Sequence, residues 1–144
     1  MRFRTLRGFT LVEILIVVVI LGILAAIVTP QFANATEQAQ KTAMADQIAK
    51  IRRSIAIYTI RNDSLKPNIT AGVGTWGALI APGSPYMRQA PVNSWVNGPN
   101  SKTIIIGTAA DASFLTTHGW IYDPATGNLW AAGFDANDEP YARP

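Results

Sequence analysis

Residues 9–28 read FTLVEILIVVVILGILAAIV, and seventeen of these twenty are apolar. A run apolar on every side predicts a helix without a polar face, and twenty residues of helix span about 30 Å, the thickness of a bilayer's hydrocarbon core. After Thr29 and Pro30 polar residues enter, while Phe32, Ala35, Ala39, Ala43, Ile48, Ile51, Ile55 and Tyr58 recur at steps of three to five. That spacing predicts a helical stripe continuing to about Arg61. The stripe is alanine first and isoleucine later, which suits packing on helices at its start and on a small sheet further along. Glu37 with Lys41, and Asp46 with Lys50, stand at i, i+4 in the favourable orientation. Residues 9–61 together would make a helix about 80 Å long. Gly22 and Pro30 are its weak points, since Pro30 removes an intrahelical hydrogen bond and should kink or locally melt the helix. Residues 31–61 by themselves would also suit an amphipathic helix of a soluble bundle.

Asn62-Asp63-Ser64, followed by Lys66-Pro67-Asn68, ends the helix with turn formers and a proline. Beyond it lie most of the glycines and prolines, in a region that reads as a small sheet with long loops. Residues 75–80 (TWGALI) predict one helical turn capped by Thr75. Residues 86–95 (YMRQAPVNSW) are irregular, with Tyr86 and Trp95 expected to pack on the long helix. Residues 102–107 (KTIIIG) are β-branched and predict a strand. GWIY at 119–122 and NLWAA at 128–132 flank Asp123-Pro124-Ala125-Thr126-Gly127, and predict a hairpin over about 119–132. Trp120, Tyr122 and Trp130 would give it a face to cover the helix's isoleucines. The expected fold class is therefore α+β, a long N-terminal stem helix on a small C-terminal antiparallel sheet. Its segments are 1–8, 9–30, 31–62 and 63–144.

The net charge of +3 sharpens this picture because of where it sits. Arg2, Arg4 and Arg7 supply three of the twelve basic residues, and the remaining nine balance nine acidic ones. A neutral body disfavours nucleic-acid binding, and arginines directly before an apolar run place that end at the cytoplasmic face. The chain has no cysteine, which excludes disulfides, thiol catalysis and cysteine zinc sites. Its single histidine, His118, precludes a multi-histidine metal site and is expected at the surface or in a turn. No GxSxG, phosphate-binding glycine loop or HExxH is present, so the residues point away from an enzyme. The four tryptophans are expected to be packing residues of a small core.

Three readings compete for the N-terminal forty residues. A secretory signal peptide would use Ala33-Asn34-Ala35 as its cleavage site, but its apolar core is normally 7–15 residues long. A plain membrane anchor tolerates the length and leaves Glu13 without a purpose. A carboxylate in hydrocarbon costs roughly 2.5–3.5 kcal/mol at mid-bilayer and commonly marks function. The third reading uses it: Arg7-Gly8-Phe9-Thr10-Leu11-Val12-Glu13 resembles the processing signal of type IV pilins and type II secretion pseudopilins. The resemblance is specific over residues 1–60 and general beyond them.

That resemblance implies a dedicated prepilin peptidase that cuts between Gly8 and Phe9 and N-methylates Phe9. It implies a helical fibre of identical subunits in which the Phe9 ammonium pairs with Glu13 of a neighbour. Pairing would cancel two charges that are expensive in hydrocarbon and would set the stagger of the fibre. The implied partners are an inner-membrane assembly platform and minor pseudopilins. The implied function is a type II secretion pseudopilin, to which the lack of cysteine and the small globular domain also point. The alternatives are a type IV pilin for adhesion, motility or DNA uptake, and a tethered binding module that never polymerises. The expected location is the bacterial inner membrane, with the N-terminus cytoplasmic, the globular part periplasmic and the fibre in the periplasm or at the cell surface. Major pseudopilins also bind calcium in a C-terminal loop. Asp135, Asn137 and Asp138, in GFDANDEPY, are the oxygen ligands this chain could offer. The other uses for that acidic tail are solvation, or pairing with Arg88 and Arg143.

Overall fold

The computed structural model describes residues 8–143 and contains one long helix and a four-stranded sheet. The predicted leader, residues 1–8, lies outside the described residues except for Gly8. By its contacts the chain divides into two compact units, Met1–Gln38 and Ala39–Pro144. Among the described residues, helix α1, Leu11–Arg61, supplies all the regular structure of the first unit and continues into the second.

Thr10 starts α1 through a reciprocal cap. Its hydroxyl accepts from the Glu13 backbone N–H at 3.2 Å, and Glu13 Oε2 accepts from the Thr10 N–H and hydroxyl at 2.7 and 2.8 Å. This is the T-x-x-E capping box, which satisfies otherwise orphaned donors of a helix N-terminus. The helix runs unbroken through Pro30, and just before it the Thr29 hydroxyl donates to the Ala25 carbonyl at 2.8 Å. At the far end the Asn62 side chain and N–H both donate to the Tyr58 carbonyl. Asp63 and Ser64 then turn left-handed, with φ of 51° and 66°, and the Ser64 N–H closes on Thr59. A left-handed residue after the last turn is a common helix stop.

In the second unit α1 buries Met44, Ile48, Ile51 and Ile55, with Tyr58 half-buried. Steps of four and three make this the true stripe; Ala43, predicted on it, is exposed and its neighbour Met44 faces in. No ion pair joins Asp46 to Lys50, contrary to the i, i+4 expectation, and Lys41 pairs with Glu139.

The sheet comprises β1 (Gly72–Val73), β2 (Thr103–Ile106), β3 (Trp120–Tyr122) and β4 (Leu129–Ala131), in that order. β3 and β4 form the predicted antiparallel hairpin, with Ile121 opposite Trp130. β2 and β3 run parallel, Ile105 opposite Ile121, so the sheet is mixed and not antiparallel throughout. The segment between them, more than a dozen residues, is long enough for the crossover that parallel pairing requires. Position 119, just before β3, requires glycine because a Cβ there would lie 2.3 Å from the Ser101 carbonyl oxygen. Alternation puts Ile104, Trp120, Tyr122, Leu129 and Ala131 into one buried cluster with the α1 isoleucines. By the same alternation Trp130 falls on the other face and is only half-buried, so it does not cover the helix as predicted.

Aromatic contacts knit the loops to this cluster. Trp76 meets Trp120 edge-on at 5.8 Å, and Tyr58 meets Tyr86 at 5.3 Å. Trp95 packs on Phe134 at 5.5 Å, on the loop side of the core. The predicted turn at 75–80 is a short 3-10 turn, Gly77–Leu79, and it lacks a Thr75 cap. The Thr75 hydroxyl donates to the Thr70 carbonyl instead. Asn93 is fully buried and uses its whole amide: Nδ2 donates to the Gly119 and Ala132 carbonyls at 2.8 and 2.9 Å. Its Oδ1 accepts from the N–H groups of Trp95 and Val96 at 2.9 and 3.2 Å.

Candidate functional site

Two places carry the candidate chemistry, the start of α1 and the C-terminal loop. From Gly8 to Ala39 every residue is exposed, Phe9 at 83% and the apolar residues that follow at about half or more of their surface. An 18-residue window of α1 has mean hydropathy 3.2 with none of it buried, so this helix is long and apolar enough to cross a membrane. Among the described residues of its own unit nothing covers it. So much exposed apolar surface has to be satisfied by lipid or by other chains.

Gly8 precedes the helix, and a Cβ built there would meet nothing within 4 Å. The folded chain therefore does not require glycine at this position, and neither does it at Gly22, where the space is also open. A requirement at Gly8 must come from something that approaches its backbone from outside. Phe9 stands free beside it. Glu13, four residues on, is the single ionisable side chain between Gly8 and Val28. Its carboxylate already faces the end where a new ammonium at Phe9 would appear, because it holds the Thr10 N–H. Thr10 is the capping residue here that the residues alone did not bring out; threonine three residues before Glu13 was its signal. Ala33, Asn34 and Ala35, the signal-peptide alternative, lie inside α1.

In the C-terminal loop the candidate calcium ligands have other partners. Asp135 Oδ1 accepts from the backbone N–H groups of Asn137 and Glu139 at 2.8 and 2.9 Å. These two bonds, that from Glu139 first, hold its carboxyl below the usual carboxylate range. Both Asp138 oxygens are taken by Arg52, Oδ2 at 2.5 Å from Nη1 and Oδ1 at 2.9 Å from Nη2. The same guanidinium donates to the Leu129 carbonyl from Nε at 3.0 Å and from Nη2 at 2.8 Å. Glu139 pairs with Lys41 at 2.5 Å. Asn137 is exposed. Among the described residues no three His, Asp or Glu side chains converge as a metal cage does. The tail's partners are thus Arg52 and Lys41. Arg143 donates to Gln40 Oε1 at 2.7 Å and stacks 3.9 Å over the Trp95 ring, and Arg88 is exposed.

His118 is buried and not at the surface, with 3% of its side chain exposed and 8% of that of Asp111. Its Nε2 faces Asp111 Oδ2 at 3.2 Å without hydrogen-bond alignment, and Nδ1 meets the Thr117 hydroxyl at 2.9 Å. The Tyr141 hydroxyl donates to the Asp111 carbonyl at 2.9 Å, and this bond fastens the crossover before β3 to the tail.

Comparison with known proteins concentrates on the same first segment. Residues 4–29 match the family model described as the prokaryotic N-terminal methylation motif. Over 113 residues the chain is 31% identical to the type IV narrow pilus major component PilA5 of Thermus thermophilus, covering 78% of this chain and 89% of that one. Over 108 residues it is 36% identical to the type II secretion system core protein G of Pseudomonas aeruginosa, covering 67% and 73%. The core protein G of Vibrio cholerae is 30% identical over 105 residues, covering 67% and 70%. No solved structure matches.

Proposed function

The chain belongs to the family of type IV pilins and type II secretion pseudopilins, and from that premise we propose that it is a structural, non-enzymatic subunit of a type II secretion fibre. A prepilin peptidase removes residues 1–8 by cutting between Gly8 and Phe9, then methylates Phe9. Before assembly α1 crosses the inner membrane with its N-terminus cytoplasmic, and residues 39–143 fold in the periplasm. An assembly platform then draws the subunit from lipid into a helical fibre that minor pseudopilins accompany. The observation that carries this reading is the bare apolar surface from Phe9 to Val28, with Glu13 the one carboxylate near its start. Lipid covers that surface in the membrane and the helices of other copies cover it in the fibre. Glu13 then has two uses in sequence. It caps its own helix through Thr10 in the free subunit, and it accepts the Phe9 ammonium of a staggered neighbour in the fibre, where an unpaired charge would be costly.

A second reading, a type IV pilin, is supported by the relative from Thermus thermophilus, 89% of whose length the match covers. Deleting the protein should abolish release of folded proteins into the medium in the first reading, and long surface fibres in the second. Mass spectrometry of the mature protein should show loss of residues 1–8 and one methyl group on Phe9. Glu13→Val should leave processing and membrane insertion intact and reduce sheared-fibre yield at least tenfold. A mature chain beginning at Thr36, or wild-type fibre yield from the valine variant, would overturn the proposal.

A further inference from the structure

A calcium loop gathers six to eight oxygens around one point, and its carboxylates must turn inward together. In residues 129–141 the oxygens are gathered around a guanidinium. Arg52, on α1, reaches three of them: the Leu129 carbonyl at the start of β4 and both oxygens of Asp138. Asp135 is committed to two backbone N–H groups, and Glu139 to Lys41. We infer that Arg52 is the resident cation of this loop and clamps the C-terminal tail to α1, so that the tail folds without calcium.

The charges support the exchange. Asp135, Asp138 and Glu139 contribute −3, and Arg52 with Lys41 contributes +2, which leaves −1. A divalent ion entering among these oxygens would stand beside a guanidinium that never deprotonates and would be repelled by it. To bind, it would have to displace Arg52 and leave a half-buried cation without its partner. The fork shape matters as much as the charge. A planar guanidinium holds a carboxylate through two parallel bonds and still has donors for the carbonyl, which an ammonium cannot match. One side chain therefore ties helix, hairpin and tail together. Asp138 takes a left-handed backbone, φ 62°, and its N–H donates to the Asp135 carbonyl at 3.1 Å, which closes the turn that presents its carboxylate to Arg52.

The consequence for assembly, fibre formation with no calcium requirement, rests on the function proposed above; the clamp itself does not. The test is thermal melting of the full chain in detergent, followed by near-ultraviolet circular dichroism. All four tryptophans lie in the second unit and report on it alone. Wild type should melt at the same temperature in millimolar calcium and in excess EDTA. Arg52→Gln should lower the midpoint by roughly 5–10 °C in EDTA. Asp138→Asn should lower it too, and if the glutamine variant does not fold, Arg52→Lys should show a smaller fall because it keeps charge and loses the fork. A wild-type midpoint higher in calcium than in EDTA would overturn the inference, as would an Arg52→Gln variant that melts with wild type in EDTA. A chain that forms no fibres would fail the functional reading and leave this measurement standing.

Discussion

The two units of this chain are both rich in apolar side chains and treat them in opposite ways. From Gly8 to Gln38 no residue is buried, although the segment holds the longest apolar run in the chain. From Ala39 onward three of the four tryptophans, with Tyr122 and Phe134, are wholly enclosed. Hydrophobicity alone therefore does not say where a core is. What differs is the arrangement. Apolar residues on every side of one helix cannot be covered by a small sheet, whereas the one-sided stripe Met44, Ile48, Ile51, Ile55 can. Among the described residues the first unit leaves its apolar side chains bare, and the second encloses its own. Changes in the second should cost folding and leave membrane insertion alone.

The most severe test of that division is Trp120→Ala. Trp120 is fully buried, sits edge-on to Trp76, and donates its indole N–H to the Pro91 carbonyl at 3.2 Å. Truncation of a buried tryptophan costs about 3–5 kcal/mol, a large share of the stability of a domain this size. Urea unfolding followed by the fluorescence of the other tryptophans should show that loss. The variant should still be retained in membranes and processed at its N-terminus. Loss of membrane retention would mean that the first unit depends on the second.

A smaller loss, about 2–3 kcal/mol, is expected for Asn93→Ala. The packed volume removed is modest, but the Ala132 carbonyl and the N–H groups of Trp95 and Val96 lose their Asn93 partner, and the Gly119 carbonyl keeps only the Ala132 N–H. The same unfolding measurement should place it between wild type and Trp120→Ala. A variant as stable as wild type would show that water can replace this amide, and that the second unit is less closed than its burial implies.

How much of this was legible in the residues follows the same division. In the first unit the helix and the methylation motif could be read from the residues, because an apolar run and a short motif are local signals. The Thr10 cap was missed, although its T-x-x-E pattern was there to find, and the helix does not melt at Pro30 as expected. In the second unit the strand at 102–107 and the hairpin at 119–132 were readable from β-branched runs and a Pro–Gly turn. The parallel pairing of β2 with β3 was not, since no local pattern says which strand lies beside which. Arg52 was invisible as a clamp because its partners, Leu129 and Asp138, lie 77 and 86 residues away. The one hint was a cation placed directly after Ile51 on a stripe of isoleucines. His118 failed for the same reason: a histidine beside glycine reads as a turn, and only the fold brings Asp111 to it.

The smallest expected effect is in pH dependence, and it too should be confined to the second unit. Asp123 is held below the usual carboxylate range, chiefly by the Thr126 hydroxyl and then by the Ala125 N–H, and Asp135 by the N–H groups of Glu139 and Asn137. In each case the unfolded chain binds its proton more readily than the folded one does. The stability they contribute is therefore present above about pH 4, and is lost as pH falls through their folded values. Tyr122 moves the other limb. Burial, with Asp123 beside it, pushes its hydroxyl up to about 12, so the folded state resists losing that proton. Its contribution is whole below about pH 10 and is lost as pH rises toward 12. Melting of the tryptophan signal should accordingly be flat between about pH 5 and 9 and fall on both sides. Asp123→Asn and Asp135→Asn should each lower the plateau and flatten the acid limb, and Tyr122→Phe should flatten the alkaline one. Between Gly8 and Gln38 the only titratable side chains are Glu13 and Glu37. Helical signal from that segment in detergent should therefore persist across the range in which the tryptophan signal melts. An acid limb unchanged in both aspartate variants would move the source of acid sensitivity elsewhere, with the ion pairs of Asp138 and Glu139 the next to be tested by the same substitution.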